Sequence, residues 1–245
     1  MSIYTPLLSD YQDEDGKVEA MRALVEAQDP SAKEVSDETI GRFLRDRNLD
    51  VKKGSLMLLK YLKWRRDFVP NGCFSRYDVI YRRVPSDVLY LQGYDKIGHP
   101  ILVALLGNHR PVPNMDDLQR YIVYAIDKTC SRIPSGQEKF ALILDMKGYG
   151  SLDCTDDFRV VMRLLQDYYP ERLGKVFFVH LPWFMLAFFN TIFLCLGKTT
   201  KTKIEFLGSK RIKARMIKSL IKDIDESQLP VRYGGKLHLV SIEHN

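Results

Sequence analysis

The residues of this 245-residue chain that could take part in chemistry are few and lie far apart. Asp145 ends the apolar run 141–144, where it is either a catalytic carboxylate or, as we favour, a cap for the following loop. His180 lies in an apolar run, which is more typical of a packed histidine than of a general base. The GYG run at 148–150 follows a strand, but Asp153 replaces the third glycine of a dinucleotide site. No nucleophile and base come together, and we predict no enzymatic activity.

The histidines and cysteines do not have the spacing of a metal site. The five histidines never fall four residues apart, and the four cysteines form no CxxC pair. The cysteines are Cys73, Cys130, Cys154 and Cys195. We therefore expect reduced thiols in a cytoplasmic protein, with no disulfide, metal or cofactor.

The net charge of +6 conceals a strong segregation of charge along the chain. Residues 10–38 carry ten acids and three bases, residues 42–66 carry nine bases and two acids, and residues 198–218 carry eight bases and one acid. Such blocks are either solvated faces or, if functional, surfaces for an anionic membrane leaflet or nucleic acid.

The elements that must position these residues fall into two groups. Residues 1–15 are polar, acidic and without periodicity, which predicts a disordered N-terminus. Residues 16–85 have helical spacing, with Ser36 and Asp50 as N-caps, and predict a small all-helical lobe. Residues 86–245 alternate strand-like runs with helical ones, which predicts an α/β domain with a partly parallel sheet.

An uncharged run, Trp183–Leu196, follows Pro182 and carries five aromatic rings. A membrane-spanning helix needs about 20 apolar residues, and this run is too short. We predict a helix instead, because more than ten apolar residues exceed the usual length of a strand. An apolar helix of this kind must cover a core, a partner, a membrane or an apolar ligand.

Several short blocks occur in order along the chain. They are IGRFLRDR at 40–47, YLKWR at 61–65, GYDK at 93–96, LDMKG at 144–148, YYPERLG at 168–174 and LPVRYGG at 229–235. Together they resemble the CRAL-TRIO lipid-binding family, most closely its Sec-fourteen-like phosphatidylinositol transfer proteins. The resemblance extends over roughly residues 17–240.

The resemblance implies a mixed sheet that floors an apolar lipid pocket, and a gate helix that closes it. The gate corresponds to the uncharged run after Pro182. The pocket and gate residues implied are Phe140, Leu142, Leu144, Phe178, Trp183, Phe184, Phe188, Phe189 and Ile192.

The resemblance also implies a site for the lipid headgroup. Its residues correspond to Arg47, Glu171, Arg172, Thr200 and Lys203. Arginine and lysine donate charge-assisted hydrogen bonds to phosphate, and glutamate or threonine can bond inositol hydroxyls. The pair Glu171–Arg172 has an alternative interpretation as a corner ion pair that stabilises the fold.

Three departures from the family pattern bear on function. Asn48 stands where the family commonly has a basic residue. Leu194 and Gly197 replace the usual proline and aspartate of the gate. Phe140 and Leu142 replace two small hydroxyl residues that dual-specificity members use to hold choline phosphate.

We therefore expect a non-enzymatic protein that transfers or presents a phosphatidylinositol-type phospholipid. The expected partners are that lipid and, transiently, membrane surfaces, with no nucleic acid. The sequence does not determine the oligomeric state, although we favour a monomer. The alternative is a scaffolding or GTPase-regulatory module on the same fold, with a different ligand or none.

Overall fold

A computed structural model describes residues 8–80, 87–110, 112, 114–149, 155–181, 201–207 and 213–244. The chain forms two compact units. The helical unit comprises residues up to Gly72 together with Arg163–Glu171, and the sheet unit comprises Cys73–Met162 together with the residues from Arg172 onward.

The helical unit is built from α1 (Leu8–Glu26), α2 (Asp37–Asp46) and α3 (Val51–Phe68). Ser36 caps α2 by accepting from the Thr39 N–H, and Asp50 caps α3 by accepting from the Lys53 N–H at 3.0 Å, so both predicted N-caps are confirmed. The fully buried side chains of this unit come from all three helices and include Met21, Val25, Ile40, Phe43, Leu44 and Leu58.

The predicted disorder of residues 1–15 is wrong from residue 8 onward, because α1 begins at Leu8. The acidic composition concealed a specific partner for this segment. Glu14 accepts a hydrogen bond from the Arg45 guanidinium of α2 at 2.7 Å. An acid that is paired across two helices does not repel the fold, so local composition misled the prediction.

The sheet unit contains five strands in the order β1-β2-β3-β4-β5. The strands are β1 (Leu89–Tyr94), β2 (Pro100–Leu105), β3 (Phe140–Asp145), β4 (Leu173–Val179) and β5 (Ile204–Leu207). The pair β1–β2 is antiparallel and the other pairs are parallel. The mixed sheet of the predicted α/β fold is therefore confirmed.

Helices connect or flank these strands. They are α4 (Arg76–Ile80), α5 (Met115–Cys130), α6 (Thr155–Tyr168) and α7 (Lys213–Asp223). Asn114 caps α5 by accepting from the Asp116 N–H at 3.0 Å. The last residues of α6 belong to the helical unit.

One face of the sheet packs on α7. Met216, Leu220 and Ile224 of α7 join a buried cluster with alternate residues of the strands, among them Ile143 and Phe177. Because successive side chains of a strand point to opposite faces, the residues between these belong to the second face of the sheet. None of the described helices is long and apolar enough to span a membrane.

Candidate functional site

The second face of the sheet is apolar across its three central strands. It carries Leu102 and Ala104 of β2, Phe140, Leu142 and Leu144 of β3, and Val176 and Phe178 of β4. Leu144 is half-buried and the others are buried. The predicted pocket residues of β3 and β4 therefore lie on one face, as their alternation requires.

Phe206 of β5 extends this apolar face to the next strand. Its ring stacks on Phe178 with centroids 5.2 Å apart, and 38% of the residue remains exposed. Sequence reasoning missed Phe206, although its alternation with Ile204 in the last strand-like run was a usable signal. The remaining predicted gate residues, Trp183, Phe184, Phe188, Phe189 and Ile192, lie outside the described residues, as do Leu194 and Gly197.

Two predicted headgroup residues lie at the edge where the parallel strands begin. The Phe140 N–H donates to the Arg172 carbonyl at 2.9 Å, and the Val176 N–H donates to the Lys203 carbonyl at 2.8 Å. The Arg172 guanidinium also donates to the Glu138 carbonyl at 2.9 Å. Arg172 and Lys203 therefore lie directly before β4 and β5, at the ends where these strands begin. Thr200 lies outside the described residues.

The other two predicted headgroup residues belong to the helical unit. Arg47 is the C-cap residue of α2, with its guanidinium 3.6 Å from the Asp46 carboxylate. Glu171 has a φ of 57°, in the left-handed region that costs a non-glycine residue on the order of 1 kcal/mol or more. Such an outlier has to be held by its surroundings, and strain of this kind is concentrated at functional sites.

Asn48 follows Arg47 with a φ of 53°. Asparagine adopts the left-handed region more readily than most residues, because its side chain bonds the local backbone. The backbone conformation between α2 and α3 thus gives a physical reason for asparagine at this departure from the family pattern.

Both carboxylate oxygens of Asp145 are engaged by neighbouring groups. Its Oδ1 accepts from the Lys147 N–H at 3.0 Å and contacts His180 Nδ1 at 2.8 Å. Its Oδ2 accepts from the Tyr233 hydroxyl at 2.9 Å and lies 3.1 Å from the Arg232 guanidinium. The Lys147 bond confirms that Asp145 caps the following loop.

This network ties the ends of β3 and β4 to the C-terminal part of the chain. Burial, followed by the nearby Asp145 charge, raises the pKa of Tyr233 far above its usual range, so its hydroxyl remains a donor. A carboxylate that is engaged on both oxygens and only 1% exposed is not available to a substrate. We assign Asp145 and His180 to the framework of the fold.

Two of the sequence blocks are explained by close backbone approaches. A Cβ at Gly93 would lie 2.6 Å from the Gln228 carbonyl oxygen, and one at Gly235 would lie 2.0 Å from the Leu229 carbonyl oxygen. In the GYDK block, Asp95 accepts from the Ile97 and His99 N–H groups and contacts His99 Nδ1 at 3.0 Å. Burial alone would raise the pKa of Asp95, but these bonds outweigh it and lower the pKa.

Lys175, near the start of β4, forms ion pairs within the protein. Its Nζ lies 2.5 Å from the Asp223 carboxylate and 3.2 Å from Glu205, and Ser219 also donates to Glu205. Burial opposes the charge on Lys175, yet the two carboxylates outweigh it and raise the pKa. No metal-binding cluster of histidine, cysteine and carboxylate groups occurs in the described ranges.

Comparison with known proteins places this geometry in a family. Residues 85–235, more than half of the chain, match the model of the CRAL/TRIO domain. The chain belongs to the CRAL-TRIO family. The family resemblance carried by the sequence blocks is thereby confirmed.

Relatives of this CRAL-TRIO chain include two yeast proteins of similar extent. It is 30% identical to the Sec14 cytosolic factor of Schizosaccharomyces pombe, over 82% of this chain and 75% of that protein. It is 26% identical to the SEC14 cytosolic factor of Kluyveromyces lactis, over 94% of this chain and 81% of that protein.

A solved structure, the crystal structure of Sfh5, has the same fold. It superposes with a TM-score of 0.66 at 19% identity and covers 96% of this chain and 89% of that one. At this identity the likeness concerns the fold alone.

Proposed function

We propose that this CRAL-TRIO protein is a non-enzymatic carrier or presenter of a phospholipid with an inositol-type headgroup. One observation carries the proposal: Arg172 and Lys203 directly precede β4 and β5, two of the strands that build the apolar second face. Phe140 belongs to that face, and its N–H bonds the Arg172 carbonyl at the edge. Acyl chains require the apolar face, and a phosphodiester requires the two cationic residues. Together they suit an amphipathic anionic lipid.

The energetics of lipid extraction explain why such a face is needed. Burial of a methylene contributes ~0.8 kcal/mol, so a diacyl lipid with about 30 methylenes needs on the order of 20–25 kcal/mol of apolar shelter to leave a bilayer. A shallow surface contact cannot provide this. We propose that the lipid tails lie over Phe140, Leu142, Leu144 and Phe178, and that the gate covers them while the protein is in water.

For the headgroup we propose Arg47, Glu171, Arg172, Thr200 and Lys203. Arginine and lysine would donate to the phosphate, and Glu171 and Thr200 would bond inositol hydroxyls. The left-handed backbone at Glu171 supports a role for that residue, because strain is retained where the surrounding structure requires it.

We propose that the protein works in the cytosol and exchanges its lipid during transient contact with membranes. The name of the two yeast relatives, cytosolic factor, supports this setting. The gate, which we place at Trp183–Leu196, would open at the membrane and give the uncharged run its role.

Lipid analysis of the purified protein tests the proposal. We expect organic extraction and mass spectrometry to recover a phosphatidylinositol-type lipid from the wild type. Phe206→Asp puts a charge on the second face and should reduce recovery. Ile221→Asp is its matched control, because Ile221 is 36% exposed against 38% for Phe206 but lies on α7. A folded protein without any lipid would favour the scaffolding alternative.

A further inference from the structure

The outward side of α3 carries an unusual stripe of residues. We define the α3 stripe as Lys52, Lys53, Leu56, Lys60 and Lys63, all of which are exposed. The opposite side of the helix buries Gly54, Met57 and Leu58 in the helical unit. At 3.6 residues per turn the stripe occupies an arc of roughly 100° and a length of roughly 16 Å, so one flat surface can touch all five side chains.

The exposure of Leu56 is not expected of a face that serves only to contact water. Leu56 is 66% exposed and lies at the centre of the stripe, with lysines on the turns before and after it. A lone exposed leucine needs no explanation, but one encircled by lysines has a recognisable chemistry. A basic surface with an apolar side chain at its centre suits contact with the headgroup region of an anionic membrane.

Three of the four stripe lysines have a carboxylate beside them. Lys53 pairs with Asp50 at 3.1 Å, Lys60 with Asp167 at 2.7 Å and Lys63 with Asp67 at 3.1 Å. The lysine side chains in these pairs are at least 55% exposed, and exposed pairs contribute little and are easily exchanged. Lys52 makes no ion pair with any residue in the described ranges.

We propose that the α3 stripe docks on the anionic lipids of a membrane surface. Lysine heads on long stems suit a diffuse layer of negative charge, whereas planar recognition of a single carboxylate or phosphate favours arginine. Leu56 enters the interface between the headgroups while the lysines stay among them. The stripe brings the protein to a membrane and is separate from the residues proposed to hold the transported lipid.

Co-sedimentation with vesicles of phosphatidylcholine, with and without phosphatidylserine, tests the proposal. Wild-type protein should bind the phosphatidylserine vesicles and lose that binding in high salt. Each lysine removed should weaken binding roughly five-fold, so Lys52→Gln with Lys63→Gln should weaken it by more than ten-fold. Leu56→Gln should also weaken it, because it removes the apolar contact and keeps the helix.

The matched control is Lys218→Gln with Lys222→Gln, which removes the same charge from exposed positions of α7. We expect this control to bind as the wild type does. If both double variants lost vesicle binding equally, the loss would be due to net charge alone, and the proposal would be overturned. Unchanged vesicle binding in the stripe variants would also overturn the proposal. If the same variants lost binding to polyglutamate or duplex DNA, the stripe would be assigned to a different polyanion. The lipid recovered on extraction should be the same in every variant, so this test is independent of the proposed cargo.

Discussion

Trp64 and Tyr168 stack face to face, with ring centroids 3.9 Å apart and planes within 7° of each other. Trp64 belongs to the YLKWR block and Tyr168 to the YYPERLG block, and the two residues are 104 positions apart in the sequence. Arg65 reinforces the contact by donating to the Tyr169 hydroxyl at 3.3 Å. The YLKWR block and the first residues of the YYPERLG block therefore form one structural element of the helical unit, and this element holds the chain just before Glu171.

A double-mutant cycle measures this contact. We expect Trp64→Ala and Tyr168→Ala to show a coupling free energy of about 0.5–1.5 kcal/mol in urea unfolding, because an aromatic pair contributes that much beyond its buried area. Tyr77→Ala is the control, since Tyr77 is 74% exposed and should have little effect. A coupling near zero would show that the stacking does not stabilise the unit.

The headgroup proposal predicts that Lys203→Ala weakens phosphatidylinositol transfer roughly ten-fold or more. A lost charged hydrogen bond costs about 1.5–3 kcal/mol. Arg172→Ala should do the same, with circular dichroism as a check because Arg172 also bonds the Glu138 carbonyl. Lys222→Ala is the control from an exposed position. Transfer that persists when both Lys203 and Arg172 are removed would place the headgroup elsewhere.

Selectivity should follow from two apolar residues of β3. Phe140 and Leu142 both lie on the second face of the sheet, where they offer no hydroxyl to a phosphocholine group. We expect Phe140→Ser with Leu142→Thr to raise phosphatidylcholine transfer relative to phosphatidylinositol transfer. Phe140→Ala with Leu142→Val opens similar space without hydroxyls and should leave the ratio unchanged. If both variants raised phosphatidylcholine transfer relative to phosphatidylinositol transfer by a similar factor, selectivity would depend on side-chain volume rather than on hydroxyl groups.

The gate prediction concerns residues outside the described ranges. Phe188→Asp with Phe189→Asp should abolish lipid exchange between vesicles, because two charges oppose insertion into the membrane. The far-UV circular dichroism should stay near that of the wild type. Exchange at the wild-type rate in this variant would contradict the gate assignment.

Glu243 predicts a pH dependence of stability. It is 6% exposed, and burial raises its pKa, although His244, Arg76 and Lys128 partly oppose the rise. Because the folded pKa exceeds the unfolded one, the associated stability is present below the unfolded pKa, at about 4.3, and is lost as pH rises through the folded pKa. Glu243→Gln, which cannot ionise, should therefore raise the melting temperature at neutral pH.

Thermal unfolding at several pH values checks this prediction. The gain from Glu243→Gln should shrink towards pH ~4, where the wild-type carboxyl is protonated as well. Glu226→Gln is the control on a side chain that is more than half exposed. A gain of the same size at every pH would mean that ionisation of Glu243 is not its cause.

Local signals in the sequence predicted much of the fold. The caps at Ser36 and Asp50 depend on a side chain and a backbone group only three residues apart. The strands could be predicted because short apolar runs of four to six residues, alternating or continuous, are typical of strands that are buried on one or both faces.

Contacts between distant residues could not be predicted from the same signals. Glu14 meets Arg45 31 residues away, and Asp145 meets Tyr233 88 residues away. The residues near each partner in the sequence give no sign of these contacts, because both contacts depend on how the helices and strands pack. For the same reason the sequence left Asp145 open between catalysis and capping until its hydrogen bonds were known.

The central claim is that the protein carries a phosphatidylinositol-type lipid in preference to phosphatidylcholine. Native mass spectrometry measures this most directly, after delipidated protein has been incubated with vesicles that contain both lipids in equal amounts. The predicted result is one phosphatidylinositol bound to each chain, with little phosphatidylcholine. Folded protein that binds neither lipid, or both equally, would contradict the claim.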